Sequence, residues 1–512
     1  MKKNYFGKDS RNILLFLVFP TPNGRLHLGH IGGPYLKLDV IKRFNKQIGN
    51  EAYIYGGTDS YDSYVLLKAI QENKTPDEVC NYYHQAIEDD IRKACIDIDY
   101  FFNPVNNKEL YFNTVSAVNA PLLSKNKAEL ISELYPHSAN IGFLPPSFIT
   151  GSCPYCSETI HSFMCEKCGS YFKPEQVKDI TCKATSNEIQ LNPIQSLFLP
   201  INKNKVLSNF KNSTLPKNVL DVLHAAVEQS DLARLSLPIA WGAKANSSAV
   251  FYTYSNFFAY LYTLGEIFKN SERQPCNPFD TNSTVETVGS FGFDNIISFM
   301  VNTLNHANTL EYPGLTHYLP NHFFTLNGKK FSTSRNHAIW VSKIKATLSI
   351  DIFRLYMLKA NADKKENDFN VVEFVDFYND IAGQLNNRLF RYFDNKSNHV
   401  PDLSYMEVKF RDPLNANYEA SMPENYCGYT IYTNIKQFLS VEIQDIASYL
   451  LWLKGFAILS YSVMPNLAQL IWNAMSINGT PDPEKLLINC ENFNHNLINK
   501  FDMIKQEDII LG

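Results

Sequence analysis

The sequence predicts an α/β protein in which a parallel-sheet domain is split by a cysteine-rich insertion and followed by an α-helical bundle. Three observations carry this expectation. Strand-like and helix-like segments alternate up to about Ala94; the alternation stops from Asn103 to Pro200, where four cysteines crowd together; and beyond Ile350 the pattern is mainly helical. Strand, loop and helix in repeated succession mark a parallel sheet with crossover helices.

Taken in order, Ile13 to Phe19 is an unbroken apolar run of strand length, stopped by Pro20, Pro22 and Gly24. Such a run suits a strand buried on both faces. From His30 to Asn45, Ile31, Tyr35, Leu38, Ile41 and Phe44 recur at helical spacing. Ala52 to Tyr55 reads as a second strand, ending in Gly56-Gly57-Thr58-Asp59, and Tyr64 to Glu72 and Pro76 to Ala94 read as helices. The loops at 20–30 and 56–62 therefore sit at the C-terminal ends of strands, where parallel sheets bind ligands. Strand and helix signals return from about 218, with Ala249 to Tyr254 and Ile296 to Val301 among them, and Phe323 to Asn327 leads into a Lys- and Ser-rich loop at 328–336. Helices are expected at 350–361, 371–394, 432–456 and 457–475, with Asn395 to Pro423 as a long connection. These shifts place the two halves of the sheet domain at 1–102 and 216–325, the insertion at 103–215, the loop region at 326–370 and the helical domain at 371–512.

Composition bounds the function classes. The chain has 512 residues, and at roughly 150 residues per domain three or four domains are expected. Apolar content of 45% excludes a disordered chain, and a net charge of −4 gives no global sign of a nucleic-acid binder, though a local basic face stays open. The N-terminus lacks a small-residue cleavage site after Phe19, and no run of about 18 apolar residues occurs. Ten cysteines are too sparse for a disulfide scaffold. Four of them follow Cys153-x2-Cys156-x8-Cys165-x2-Cys168, two knuckles whose thiolates can surround one Zn²⁺ tetrahedrally with no coordination position left for water. A structural ion and a reducing, cytoplasmic compartment are the expectation.

Two further segments carry chemistry. His27-Leu28-Gly29-His30 lies where strand gives way to helix, so two imidazoles one turn apart flank the positive end of a helix dipole, a setting that favours a phosphate. Gly29 leaves room for a flat ring over the backbone. Lys329-Lys330-Phe331-Ser332-Thr333-Ser334-Arg335 follows the turn signal Asn327-Gly328, and its lysines and hydroxyls suit phosphate oxygens.

The stretch from Pro20 to His30 resembles the HIGH signature of class I aminoacyl-tRNA synthetases, and Lys330-Phe331-Ser332-Thr333-Ser334 resembles their KMSKS loop. Gly57-Thr58-Asp59, the cysteine cluster, Trp241-Gly242 and Gly292-Phe293-Asp294 fall in the order found in the methionyl-tRNA synthetases. The resemblance implies a Rossmann-like catalytic domain, a zinc-knuckle insertion, a stem-contact region after the KMSKS-like loop and an anticodon-binding-like helical domain. It also implies activation of an amino acid by ATP with Mg²⁺ and transfer of the acyl group to tRNA. By position, His27, His30 and Lys330 would be catalytic. Gly29, Gly292, Asp294, Lys330, Ser332 and Thr333 would bind ATP, with Gly292 and Asp294 on the ribose. Phe19, Asp59, Thr253, Tyr260 and Phe299 would bind the amino acid, Asp59 through its ammonium. Asn387 and Arg391, one helical turn apart, would read anticodon bases, although such a pair also suits a solvated helix face.

The chain departs from that pattern in places. Thr333 replaces the second lysine of the loop, Ser60-Tyr61-Asp62 replaces Glu-His-Gly, Thr253 stands where a tryptophan covers the thioether, and Phe299 stands near an expected histidine. No Pro-Trp pair is found in the helical domain, where Met464-Pro465 comes early. The leading expectation is a methionyl-tRNA-synthetase-like ligase. A specialised paralogue, using another amino acid or a non-tRNA acceptor, and a non-catalytic tRNA- or amino-acid-binding protein are the rivals.

Overall fold

The computed structural model describes residues 3–165, 168, 170, 172–331, 337–363, 365–391, 403–488, 490 and 493–510, with the side chains of 330 and 403–407 set aside. Five parallel strands form the central sheet: β1 (Asn12–Leu17), β2 (Glu51–Gly57), β3 (Tyr100–Phe102), β4 (Glu286–Gly292) and β5 (His317–Asn321). Their spatial order is β5-β4-β1-β2-β3, and every pairing is parallel. The order reverses direction at β1, so the crevice beyond the C-terminal ends of β1 and β4 is where this topology binds ligands.

β1 is buried on both faces, as its unbroken apolar run requires. Ile13, Leu15 and Leu17 join a core that extends through the following helix into the C-terminal helices, while Leu14, Phe16 and Phe19 join a second core with Tyr260 and Phe299. Helical backbone runs from Leu28 to Gln47, but Ile31–Tyr35 is a π turn. Pro34 within it has no N–H to give to the ladder. Gly33 admits the side chain of Asn321, since a Cβ there would lie 2.7 Å from Asn321 Nδ2.

The insertion contains a helix, Lys108–Ser124, and then antiparallel sheets. One is built on Glu129–Ser138 paired with Gln190–Pro200, and a smaller one, Ile149–Ser152 with Thr159–Ile160 and Lys178–Cys182, carries the first knuckle. Arg234 and Glu133 form a buried pair across the larger sheet (Nη1–Oε1 2.7 Å).

The C-terminal part is helical, as expected, but its boundaries need correction. The expected helix at 432–456 is two helices, Gly428–Leu439 and Ile446–Ser460. Asp445 breaks the run by capping the second, its carboxylate accepting from Ser448 N at 2.7 Å. A third, Pro465–Ala474, replaces 457–475. The expected connection from Asn395 to Pro423 contains a helix, Leu403–Ala420, which buries Phe410, Leu414 and Tyr418 at four-residue spacing despite Pro413. Helix 371–394 ends at Leu389. Ile350–Lys359 forms as expected and carries Arg354, a fully buried guanidinium that joins the two halves of the molecule. It pairs with Asp39 of the first helix and donates to the carbonyls of Cys95 (2.8 Å) and Val463 (2.7 Å). Among the described residues no helix is long and apolar enough to cross a membrane.

Candidate active site

His27 is the residue before the helix, in extended conformation, and His30 is in its first turn. Each ring is fixed by a backbone donor: Gly29 N donates to His27 Nδ1 and His27 N to His30 Nδ1, both at 3.2 Å. With both Nδ1 atoms accepting, the proton of each neutral ring sits on Nε2, leaving two N–H donors. The ring centroids are 3.9 Å apart. Burial lowers the His30 pKa to about 4, and burial together with His30 lowers that of His27 well below the ordinary value. The pair offers an anion neutral donors rather than positive charge. The preceding loop is pinned by Asp90, which accepts from Leu26 N (3.0 Å) and pairs with Arg25 (2.8 Å).

The Lys- and Ser-rich segment reaches the same place. Asn327 (φ +49°) and Gly328 (φ +76°) have the positive φ of a type I′ hairpin turn, joining Phe324–Leu326 to Lys329–Lys330. The expected loop at 328–336 thus begins as a strand. Asp368 holds the turn by accepting from Gly328 N (2.8 Å) and Thr325 Oγ1 (2.6 Å). Phe331 then stacks on His27, with centroids 4.8 Å apart and planes 7° from parallel. Trp340 bridges to His27 along the backbone, and Leu28 N donates to Ile339 O at 3.0 Å. The space over Gly29 is taken by these rings: a Cβ there would lie 3.0 Å from His27 Cε1 and 3.5 Å from Phe331 Cδ2. Lys330 lies in the hairpin strand; its side chain, Ser332 and Thr333 are outside what the structure describes.

Across the crevice, Gly292 ends β4 and Asp294 lies in the single 3₁₀ turn Phe293–Asn295. A Cβ at Gly292 would overlap Asp294 Oδ1, so the carboxylate folds back over the glycine. Beside them, Phe19 stacks on Tyr260 (4.0 Å) and packs with Phe257 (5.6 Å) and Phe299 (6.2 Å). Tyr260 donates to Thr58 O at 3.0 Å, which ties this cluster to the end of β2.

Asp59 follows directly. It is almost wholly buried, and its Oδ1 has no hydrogen-bond partner. Burial, with Asp62 nearby, raises its pKa well above the ordinary carboxylate value, and the Thr253 hydroxyl beside it acts the other way. Asp62 is buried too, but accepts from Thr21 Oγ1 (2.8 Å) and Tyr64 N (3.1 Å). Of the expected amino-acid-binding residues, Phe19, Tyr260 and Phe299 meet in one cluster, and Thr253 meets Asp59. Residues that spacing did not reveal are Phe331, Trp340 and Asp90, whose contacts join distant parts of the chain.

The cysteine cluster assembles as expected. The sulfurs of Cys153, Cys156, Cys165 and Cys168 all lie within 4.8 Å of one another, with Cys153–Cys168 at 3.8 Å and Cys156–Cys165 at 3.6 Å. A tetrahedral Zn–S₄ centre with bonds of about 2.3 Å has sulfurs about 3.8 Å apart, so the donor set fits that ion. Tyr155 N points at Cys153 Sγ (3.4 Å), and Ser170 Oγ lies 3.2 Å from Cys168 Sγ.

The expected helical spacing of Asn387 and Arg391 is not completed. Asn387 is exposed on Val371–Leu389, but Arg391 lies beyond the helix end, so the two do not share a helical face. Arg388 Nη1 donating to Val441 O, and Tyr449 Oη donating to Leu389 O, hold the chain where the helix stops.

Comparison with known proteins decides the family: the description "tRNA synthetases class I (M)" matches residues 14–393. The chain belongs to the class I tRNA synthetases of this group. Among curated relatives, a methionine–tRNA ligase of Thermoplasma volcanium is 24% identical over 94% of this chain and 95% of its own length. One of Methanopyrus kandleri is 26% identical over 74% of this chain and 58% of its own. The chain spans less than two thirds of the length of several such relatives. A Mycobacterium tuberculosis methionyl-tRNA synthetase structure bound by methionyl-adenylate superposes with TM-score 0.72 at 14% identity, covering 94% of this chain and 98% of that one. That likeness is one of fold.

Proposed function

We propose that this chain is a ligase of the methionine–tRNA ligase type, which activates an amino acid with ATP to an aminoacyl adenylate and transfers the acyl group to tRNA. The observation that carries the reading is the stacking of Phe331 on His27, because it joins the two segments that would hold a triphosphate at the topological switch of the sheet. The family match and the fold likeness to a synthetase bound by methionyl-adenylate support it.

In this reading the substrate ammonium pairs with Asp59, whose buried oxygen lacks a protein partner. The carboxylate attacks the α-phosphate of ATP, and pyrophosphate leaves. His27 and His30 direct their Nε2–H groups at the phosphate oxygens as charge builds on them, and Lys330 takes the pyrophosphate side. Gly292 and Asp294 receive the ribose. This is positioning with electrostatic stabilisation, without a covalent enzyme intermediate. The ribose hydroxyl of the tRNA terminus then attacks the acyl carbon, releasing AMP. Zn²⁺ on the four cysteines would be structural, holding the insertion in shape and leaving no coordination position for a reactant. Asn387 remains a candidate contact for the anticodon.

The test is ATP–pyrophosphate exchange with a panel of amino acids, followed by charging of tRNA. Amino-acid-dependent exchange with charging is the expected result. Exchange without charging would assign a different acceptor, and no exchange with any amino acid would leave only a binding role.

A further inference from the structure

A cavity of about 250 Å³ opens at the seam between the cysteine-rich insertion and the catalytic domain. The knuckle segment lines it with Tyr155, Phe163 and Phe172, the larger insertion sheet with Phe198, and the catalytic side with Ser230, Arg234 and Tyr252. Tyr252 directly precedes Thr253, which borders Asp59. Its ring stacks on Tyr254 (5.7 Å), and Tyr254 packs on Phe257 of the aromatic cluster (5.7 Å). Met164, also in the cavity wall, belongs to the same core as Phe19, Tyr260 and Phe299. The cavity therefore adjoins the amino-acid end of the site.

Its chemistry suits a flat, uncharged group with a hydrogen-bonding edge. Phe163, Phe172 and Phe198 are buried, while Tyr155 is 58% exposed and so stands where the cavity meets solvent. Arg234 adds no net charge, because Glu133 pairs with it and its guanidinium lies over the rings of Phe198 (4.8 Å) and Phe163 (5.5 Å). Ser230 is only 5% exposed, and its hydroxyl has no protein partner. A buried hydroxyl left unpaired is costly, so a ligand that can hydrogen-bond is favoured over an alkyl group. Lys173, part-exposed in the same wall, brings a positive charge, whereas the neighbouring Asp231 is turned to Lys203 at 2.6 Å. Aromatic faces, one polar contact and a nearby cation are what a nucleotide with an unstacked base requires.

We propose that this cavity seats a nucleobase of the single-stranded tRNA terminus, stacked on the aromatic walls with Ser230 at its hydrogen-bonding edge. The proposal rests on the ligase reading above, in which the terminal ribose hydroxyl must reach the acyl carbon beside Asp59. A free nucleotide offers the same chemistry, and the experiment separates the two.

The experiment compares ATP–pyrophosphate exchange with charging of total tRNA by the full-length protein, alongside titrations with AMP and CMP. Tyr155→Ala removes an exposed ring, and Ser230→Leu fills the cavity from its buried side. Zinc content and melting temperature confirm the fold of each. The expected result is exchange within about twofold of the parent and a fall of about tenfold or more in kcat/KM for charging, the order that loss of one stacked base brings. Unchanged charging in both folded variants would overturn the proposal while leaving the ligase reading intact. Exchange falling in step with charging would overturn it too, since the cavity would then serve the catalytic domain and not the acceptor. Binding of AMP or CMP that the variants abolish, with charging unaffected, would assign the cavity to a free nucleotide instead. No charging of any tRNA by the parent would overturn the acceptor reading and this proposal with it.

Discussion

Replacing His30 with alanine tests the imidazole pair directly. In the folded protein His30 Nδ1 accepts from His27 N at 3.2 Å, which places the ring proton on Nε2, and the two ring centroids are 3.9 Å apart. The substitution removes one Nε2–H donor from the phosphate site and leaves the His27 N–H without its acceptor. Loss of one donor aimed at developing charge lowers the rate by about 10²–10³, or roughly 3–4 kcal/mol. Loss of the backbone partner costs roughly 1 kcal/mol of local stability, too little to unfold the domain. Exchange should therefore fall by at least about a hundredfold with the overall melting temperature nearly unchanged. His27→Ala should behave alike, and the double variant should lose less than the product of the two, because the two rings are in contact and serve one phosphate site. Exchange within twofold of the parent in a folded His30→Ala protein would remove the pair from the chemistry.

Other outcomes follow from the same geometry. Gly57→Ala would drive a methyl group into Phe102 O and Tyr260 Oη, breaking the Tyr260–Thr58 bond, so exchange should collapse in a protein that still binds zinc; normal exchange would show that this cluster does not shape the site. Arg354→Met leaves Asp39 with Arg43 and the Asp97 N–H and should destabilise the junction of the two halves by about 3–5 kcal/mol, read as faster hydrogen exchange in Ile350–Lys359 and Pro465–Ala474; unchanged protection would contradict it. Burial raises the Asp59 carboxyl well above its ordinary value, and an ammonium pairing with the carboxylate favours its ionised form. Amino-acid affinity should accordingly improve as pH rises through that raised value. Affinity measured by calorimetry across a pH series checks this, and affinity that falls as pH rises through that range would mean that Asp59 is not the anchor. Cys156→Ser should lower zinc content and loosen the segment from Ile149 to Cys182, measured by metal analysis and limited proteolysis; full zinc retention would refute the four-thiolate centre.

Much of this was legible wherever a local rule suffices. The double-sided apolar run of β1, the Asn327-Gly328 turn and the Cys-x2-Cys knuckles each encode their structure within a few residues. The helix Leu403–Ala420 is hidden in the sequence, although Phe410, Leu414 and Tyr418 mark its face, because Pro413 and several asparagines signal a loop. The break at Asp445 is hidden for the opposite reason: the apolar residues on either side continue a helical period across a capping residue. Arg391 falls just past the end of a helix that stops at Leu389. What spacing cannot supply is contact at long range. The stack of Phe331 on His27, the reach of Arg354 to Asp39 and Val463, and the solitary carboxylate of Asp59 depend on how the sheet closes.

The account turns on one nucleotide being held between His27, His30 and the hairpin that carries Lys330. A crystal structure with a non-hydrolysable ATP analogue measures this directly. The account predicts an α-phosphate oxygen within hydrogen-bond distance of both Nε2 atoms, the ribose against Gly292 and Asp294, and Lys330 on the outer phosphates. A nucleotide bound elsewhere, with the imidazole pair turned away from it, would contradict the account.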